Sequence, residues 1–335
     1  MASSETFAEI KDMSERKINT KDISVVVQGA VEEQATKKCL RSIRKQLPGA
    51  EIILSTWNGI SAHDFDYDIL VQSDDPGSIA WHFYGNRIAP VNYNRQLVST
   101  KEGLARVTRK YAIKMRSDFY LKNASFLDAF EDFNHRRDGC RFFRHRVIVP
   151  AVYTRMFFPG SSFPSPFCVS DFFFFGLADD IRDYFSTEKI SEEEGGGWHF
   201  AHPDRKPDRL ETGRYMPEQF LCYGWTRRHG LECDFADCSD WGMESLAMSN
   251  EVLFNNFIVL DSSRLAIASA KHDLPQLERQ RGLVTTDVFM QEYEKIFLMG
   301  EPLFCMERYA GYWKPLRRNI LLRAATKIVR RFSWL

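Results

Sequence analysis

The run Lys114-Met115-Arg116-Ser117-Asp118 carries three charges at alternate positions. In an extended strand alternate side chains share a face, so Lys114, Arg116 and Asp118 fall on one side, with Ile113 and Met115 on the other. Charges at the end of a buried strand are costly unless they are paired or meet a ligand. Asp118, at the carboxyl end, could hold Mn²⁺ or Mg²⁺, because a hard cation prefers carboxylate and phosphate oxygens. The planar fork of Arg116 suits a diphosphate. The plainer reading is an Arg116–Asp118 salt bridge; the place at a strand end favours the ligand.

Further candidates are spread along the chain. Glu218, in Pro217-Glu218-Gln219, falls in the first turn of a predicted helix. It could take the proton from an acceptor hydroxyl, or simply complement the helix dipole. Asp171, just before a run of four Phe, could orient a bound sugar or pair with Arg116 or Lys114. Backbone donors could equally satisfy it. Asn94 and Arg95, with Asn92 and Gln96, open another helix, where an anion is favoured; an Asn cap with an exposed Arg is the simpler reading. Gln28-Gly29 follows a strand, and Gly29 would let a nucleotide approach closely; an ordinary turn explains it as well. His199, His202 and Asp204, with Cys233 and Cys238 downstream, match no zinc spacing and read as solvent-facing loop residues. His272, beside Lys271, reads as a solvated residue ahead of a phosphate or metal ligand.

The elements that position these residues follow from periodicity. Ile23 to Val27 is β-branched and buried in pattern. Glu33 to Leu47 has Thr36, Cys39, Leu40, Ile43 and Leu47 at helical spacing, and Pro48-Gly49 stops it. Strands are predicted over Glu51 to Trp57 and Tyr67 to Gln72. A helix over Asn94 to Thr108 leads into a strand over Tyr111 to Arg116. Phe172 to Phe175, apolar on both sides, reads as a central strand. Pro217 opens the helix Glu218 to Arg228. Strands alternating with helices predict a mostly parallel α/β sheet with covered faces, whose ligands sit outside the carboxyl ends of the strands. The Gly-rich stretch 186–214 predicts a long loop, either a mobile lid or a surface insertion.

The 335 residues hold 45 Lys and Arg against 45 Asp and Glu. The zero net charge speaks against nucleic acid as a partner. Seven Cys without a CxxC pair read as free thiols. GxxxxGK[ST], a strand-linked GxGxxG, HExxH and GxSxG are absent. The first 20 residues lack an apolar segment, so no signal peptide is predicted. From Lys314 onward all charged side chains are basic. Leu321, Ala325, Ile328, Phe332 and Leu335 share one helical face, which predicts an amphipathic helix lying on an anionic membrane surface; a docked helix with a solvated basic face is the alternative.

Taken in order, several of these segments resemble the WavE lipopolysaccharide-synthesis family. They are Ile23 to Gly29, Thr36 to Arg44, Pro48 to Trp57, Asn92 to Thr100, Tyr111 to Asp118, Ser170 to Gly176 and Pro217-Glu218-Gln219. The resemblance implies a GT-A-like fold and a glycosyltransferase using a nucleotide-sugar donor. Its acceptor would be a lipopolysaccharide core or related glycolipid or oligosaccharide. GT-A enzymes usually carry two Asp around one residue, and Arg116 stands at the first of these places. Arg116 could itself neutralise the diphosphate, which leaves metal dependence open.

The chain then divides into a mobile leader (1–21), one GT-A-like domain (22–300) and a basic C-terminal segment (301–335). Within the domain, 22–120 is the nucleotide-binding half and 121–300 the acceptor half. Glu218 and Asp171 are the expected catalytic acids. Gln28, Gly29, Asn94, Arg95, Lys114, Arg116 and Asp118 are the expected donor-binding residues. The expected location is the cytoplasm, at the inner face of the membrane. A sugar nucleotidyltransferase and a non-catalytic scaffold of envelope assembly are the competing readings. The first would need a basic Gly-rich loop after the first strand, and Gln28-Gly29-Ala30-Val31-Glu32 is not one.

Overall fold

A computed structural model describes residues 18–83, 87–158, 163–203, 213–238 and 240–302. The expected basic C-terminal helix lies outside these residues.

Seven strands form one sheet. β1 (Ile23–Gln28), β2 (Glu51–Trp57) and β3 (Ile69–Ser73) are parallel, and so are β1 and β6 (Tyr111–Arg116). The sheet also contains β8 (Val147–Pro150), β11 (Phe173–Leu177) and β12 (Phe257–Leu260). The spatial order is β12-β8-β11-β6-β1-β2-β3. β11 alone runs against both neighbours, β6 and β8. This is the mostly parallel α/β sheet that periodicity predicts, of the GT-A-like kind that the resemblance implies.

Composition explains the strand positions. β1 is buried along its whole length, which suits Ile-Ser-Val-Val-Val between two partners. Phe173, Phe174 and Phe175 are fully buried and pack edge-on with neighbouring rings, the favoured aromatic geometry. Helix α1 (Glu33–Gln46) buries Thr36, Cys39, Leu40 and Ile43, and α2 (Tyr93–Leu104) lies on β1, β2 and β3. Gly103 marks that contact: a Cβ there would fall inside van der Waals range of Val26 Cγ1 and 3.1 Å from Ser55 Cβ. Gly103→Ala gains about 1 kcal/mol of helix propensity but overpacks the interface by about 1–3 kcal/mol. The net expectation is a loss of about 1 kcal/mol, read as a lower urea midpoint with unchanged slope.

Expected and observed elements differ at some ends. The expected strand Tyr67 to Gln72 is Ile69–Ser73, and the helix predicted to reach Thr108 stops at Leu104. A hairpin of β4 (Ile79–Phe83) and β5 (Arg87–Val91) stands apart from the main sheet. It pairs Pro90 with Ala80, and a proline inside a run conceals a strand from pattern reading.

The described parts of 186–214 are packed down. Both amide groups of Asn94 hold the backbone of Ile190, at 2.8 and 3.0 Å. The Glu192 carboxylate accepts from Ala80 N at 2.9 Å, and a Cβ on Gly196 would collide with the Ala80 carbonyl. The short helix α4 (Trp198–Ala201) follows α3 (Ala178–Tyr184). His199 is buried, and His202 stacks on Trp198 at 3.5 Å. These histidines are therefore packed rather than solvent-facing, because Trp198 draws the segment inward.

One hydrophobic core runs from Ile23 to Ile296, so the halves 22–120 and 121–300 share it. The remaining strands and α-helices are β7 (Phe119–Leu121), β9 (Arg155–Phe157), β10 (Pro164–Cys168), α5 (Pro217–Arg228), α6 (Met243–Asn256), β13 (Ile267–Ser269), α7 (Leu274–Leu277) and α8 (Thr286–Tyr293). All cysteines among the described residues are free.

Candidate active site

The reversed strand assembles the site. In the β11–β6 register Phe173 lies opposite Met115. The residues just before β11 therefore lie beside those just after β6. Asp171 and Phe172 come to the edge where Arg116, Ser117 and Asp118 finish their strand. The loop after β8 brings Tyr153 and β9 opens with Arg155, the turn after β13 brings Lys271 and His272, and the first turn of α5 holds Glu218.

Arg116 and Asp118 form a two-bonded pair, with Nε to Oδ1 at 2.9 Å and Nη2 to Oδ2 at 2.8 Å. Asp118 is only 4% exposed. Burial works to raise its carboxyl, but the Arg116 fork outweighs burial and holds it below the usual range. The guanidinium lies 5.0 Å from the Phe172 ring centre and 5.8 Å from that of Phe119. Lys271 Nζ stands 4.0 Å from Asp118 and also pairs with Glu32. The His272 ring lies roughly parallel to Phe172 at 6.0 Å. Burial, with Arg116 next, holds it below its ordinary value.

Deeper in, Glu218 is buried and its carboxyl is pushed up to about 8, first by burial and then by Asp171. A carboxyl held near neutrality can exchange a proton at physiological pH. The β6 residue Lys114 is fully buried and donates to the main-chain carbonyl of Asp171, not to its carboxylate. Burial lowers its ammonium to about 8. Tyr153 has a φ of 67°, uncommon for a bulky residue and typical of functional sites. Its ring meets Phe172 edge-on at 5.0 Å, with the Arg155 guanidinium 4.5 Å from its centre. Arg155 Nε and Ser170 Oγ are buried without a hydrogen-bond partner among the described residues. Buried polar atoms are normally satisfied, and Ser170 immediately precedes Asp171.

The structure joins Lys114, Arg116, Asp118, Asp171 and Glu218 at this edge. It gives other predicted residues different work. The fork of Arg95 is closed by Asp75, with both bonds at 2.7 Å, and the Asn94 amide clamps Ile190. Gln28 is buried and accepts from Ser99 Oγ at 2.6 Å, tying β1 to α2. Gly29 has a φ of 111° and donates to the Ser55 carbonyl at 3.0 Å, so it is required by its turn. Tyr153 and Arg155 were missed because no motif links them to Asp118; only the chain reversal does. Lys271 and His272 have a place here that their sequence context did not favour.

The metal role expected of Asp118 fits its surroundings poorly. Both oxygens face a guanidinium, an ammonium stands nearby, and among the described residues no three His, Cys, Asp or Glu side chains group to hold a cation.

The sheet is of the GT-A-like α/β kind, and its strand ends gather the cations and buried acids described above. Residues 23–333 match the family model described as WavE lipopolysaccharide synthesis, and the chain belongs to that family. It is thereby placed in lipopolysaccharide synthesis. No curated protein matches it. No helix among the described residues is long and apolar enough to cross a membrane.

Proposed function

We propose that the protein is a glycosyltransferase that moves a sugar from a nucleotide-sugar donor to a lipopolysaccharide core or related surface glycan. The observation that carries this reading is the buried Glu218 carboxyl beside Asp171, whose charge also acts on the Arg116 fork that holds Asp118. The donor diphosphate lies against Arg116 and Lys271, where cations offset its charge. Asp118 keeps the Arg116 fork in place, and His272 covers the phosphate side. The acceptor hydroxyl faces the Glu218 carboxylate. Its oxygen bonds to the anomeric carbon, its proton passes to Glu218, and the bond from that carbon to the diphosphate breaks. The nucleoside diphosphate leaves as an anion held by Arg116 and Lys271. Attack from the side opposite the leaving group inverts the anomeric configuration.

The test is nucleotide release from a panel of nucleotide-sugars, with and without core oligosaccharide. Release from one donor, abolished in Asp118→Ala, is the expected outcome. Thermal stabilisation by a donor without release under any condition would favour a binding scaffold, and no stabilisation would sink the reading. Because Arg116 occupies Asp118, chelation with EDTA should leave the rate within about twofold. A loss of tenfold or more, restored by Mn²⁺ or Mg²⁺, would return Asp118 to the metal role.

A further inference from the structure

A basic groove lies between α1 and β7. It encloses about 790 Å³ and is lined by Lys37, Lys38, Arg41, Lys45 and Lys122, with Tyr120 among them. No acidic residue lines it. Lys37 is paired with Glu33 at 2.7 Å. Lys38 Nζ sits over the Tyr120 ring at 3.6 Å. Lys38, Arg41, Lys45 and Lys122 are exposed, and none is ion-paired among the described residues. The groove is built rather than accidental: Leu121 N donates to Ser42 Oγ at 3.0 Å, locking β7 onto α1.

Its direction matters. β7 begins at Phe119, the residue after Asp118, and α1 begins beside Glu32, which holds Lys271. From Gln34 to Gln46 the helical rise gives a run of about 18 Å away from the site, the length of a few sugar units. Like-charged side chains crowded along a groove repel one another unless an anion lies among them.

We propose that this groove binds an anionic glycan, an oligosaccharide bearing phosphates or carboxylates, as the extended acceptor of the transfer. The proposal rests on the transferase reading for its acceptor role, but its binding is measurable alone. A glycan fits better than a membrane surface. A helix that lies on lipid buries an apolar face, and none of the exposed large hydrophobic residues lines the groove. The groove is also a recess between α1 and β7, and Lys38, held over the Tyr120 ring, stands where a glycan phosphate or carboxylate would meet it.

The full chain would be titrated calorimetrically with phosphorylated core oligosaccharide freed from its lipid, and with the same oligosaccharide after dephosphorylation. The wild type should bind the phosphorylated form at least tenfold tighter. K38Q/K45Q/K122Q should lose most of that preference while donor turnover without acceptor stays unchanged. Equal affinity for the two oligosaccharides, or undiminished binding by the triple variant, overturns the proposal. So does lysine-dependent capture by vesicles containing phosphatidylglycerol without oligosaccharide binding, which would make the groove a membrane contact. Absent donor turnover with intact groove binding would sink the transferase reading alone.

Discussion

Glu218→Gln should lower sugar transfer by about 10²- to 10⁴-fold, the range of a positioned general base, while donor affinity changes little. The amide keeps the shape of the side chain and cannot take the acceptor proton. Because the Glu218 carboxyl titrates at about 8, wild-type transfer should rise with pH up to about 8 and then level off. The variant's residual rate should lack that rise. The same substitution carries a stability signature of defined sign. A carboxyl raised in the folded state binds its proton more tightly there than in the unfolded chain. Its stabilising contribution is full below the ordinary value of 4.5 and is lost as pH climbs through about 8. Glutamine has no such loss. The stability of Glu218→Gln relative to wild type should therefore grow by about 3 kcal/mol between pH 5 and pH 8. Denaturant midpoints at several pH values read this directly. A parallel pH dependence in both proteins would remove Glu218 from the proton-transfer role.

The second large effect concerns Arg116. Arg116→Met leaves Asp118 buried without its fork. Removing one partner of a buried pair costs about 3–5 kcal/mol; since the Arg116 side chain is one-third exposed, screening reduces the expected cost to about 2 kcal/mol. Asp118→Asn added to Arg116→Met should restore most of that stability, because the stranded charge is gone. Transfer should stay about 10²- to 10³-fold down in both variants, since the cation facing the leaving diphosphate is missing. Stability recovered without activity separates the two duties of Arg116. Recovery of both would make the pair purely structural.

Much of the sheet was legible in the sequence because its central strands are apolar at nearly every position. Ile23 to Val27 and the Phe run could be little else, and helix α1 carries a clear 3.6-residue stripe. The reversal of β11 was not legible. A strand buried on both faces has no alternation to show direction, and its neighbours are set by residues far along the chain. That reversal is also why the site was only half readable. Arg116, Asp118 and Glu218 could be picked out as charges in apolar or helix-start settings. Tyr153 and Arg155 look like ordinary loop residues until β8 delivers them to Phe172. The partners of Asn94 and Arg95 were hidden for a related reason: spacing showed polar groups at a helix start, but not that Ile190 and Asp75 bond to them.

The lone reversed strand has a consequence for the chain as it is made. Until residues 173–177 have emerged from the ribosome, β6 is the open border of a growing sheet, offering unpaired peptide groups to any extended chain nearby. Lys114 stands in the middle of that border. An ammonium on such a strand blunts wrongful pairing, and it finds rest only when the Asp171 carbonyl arrives with β11. By this argument Lys114→Met is expected to leave β6 more open to wrongful pairing during refolding, read as more aggregate at equal chain concentration.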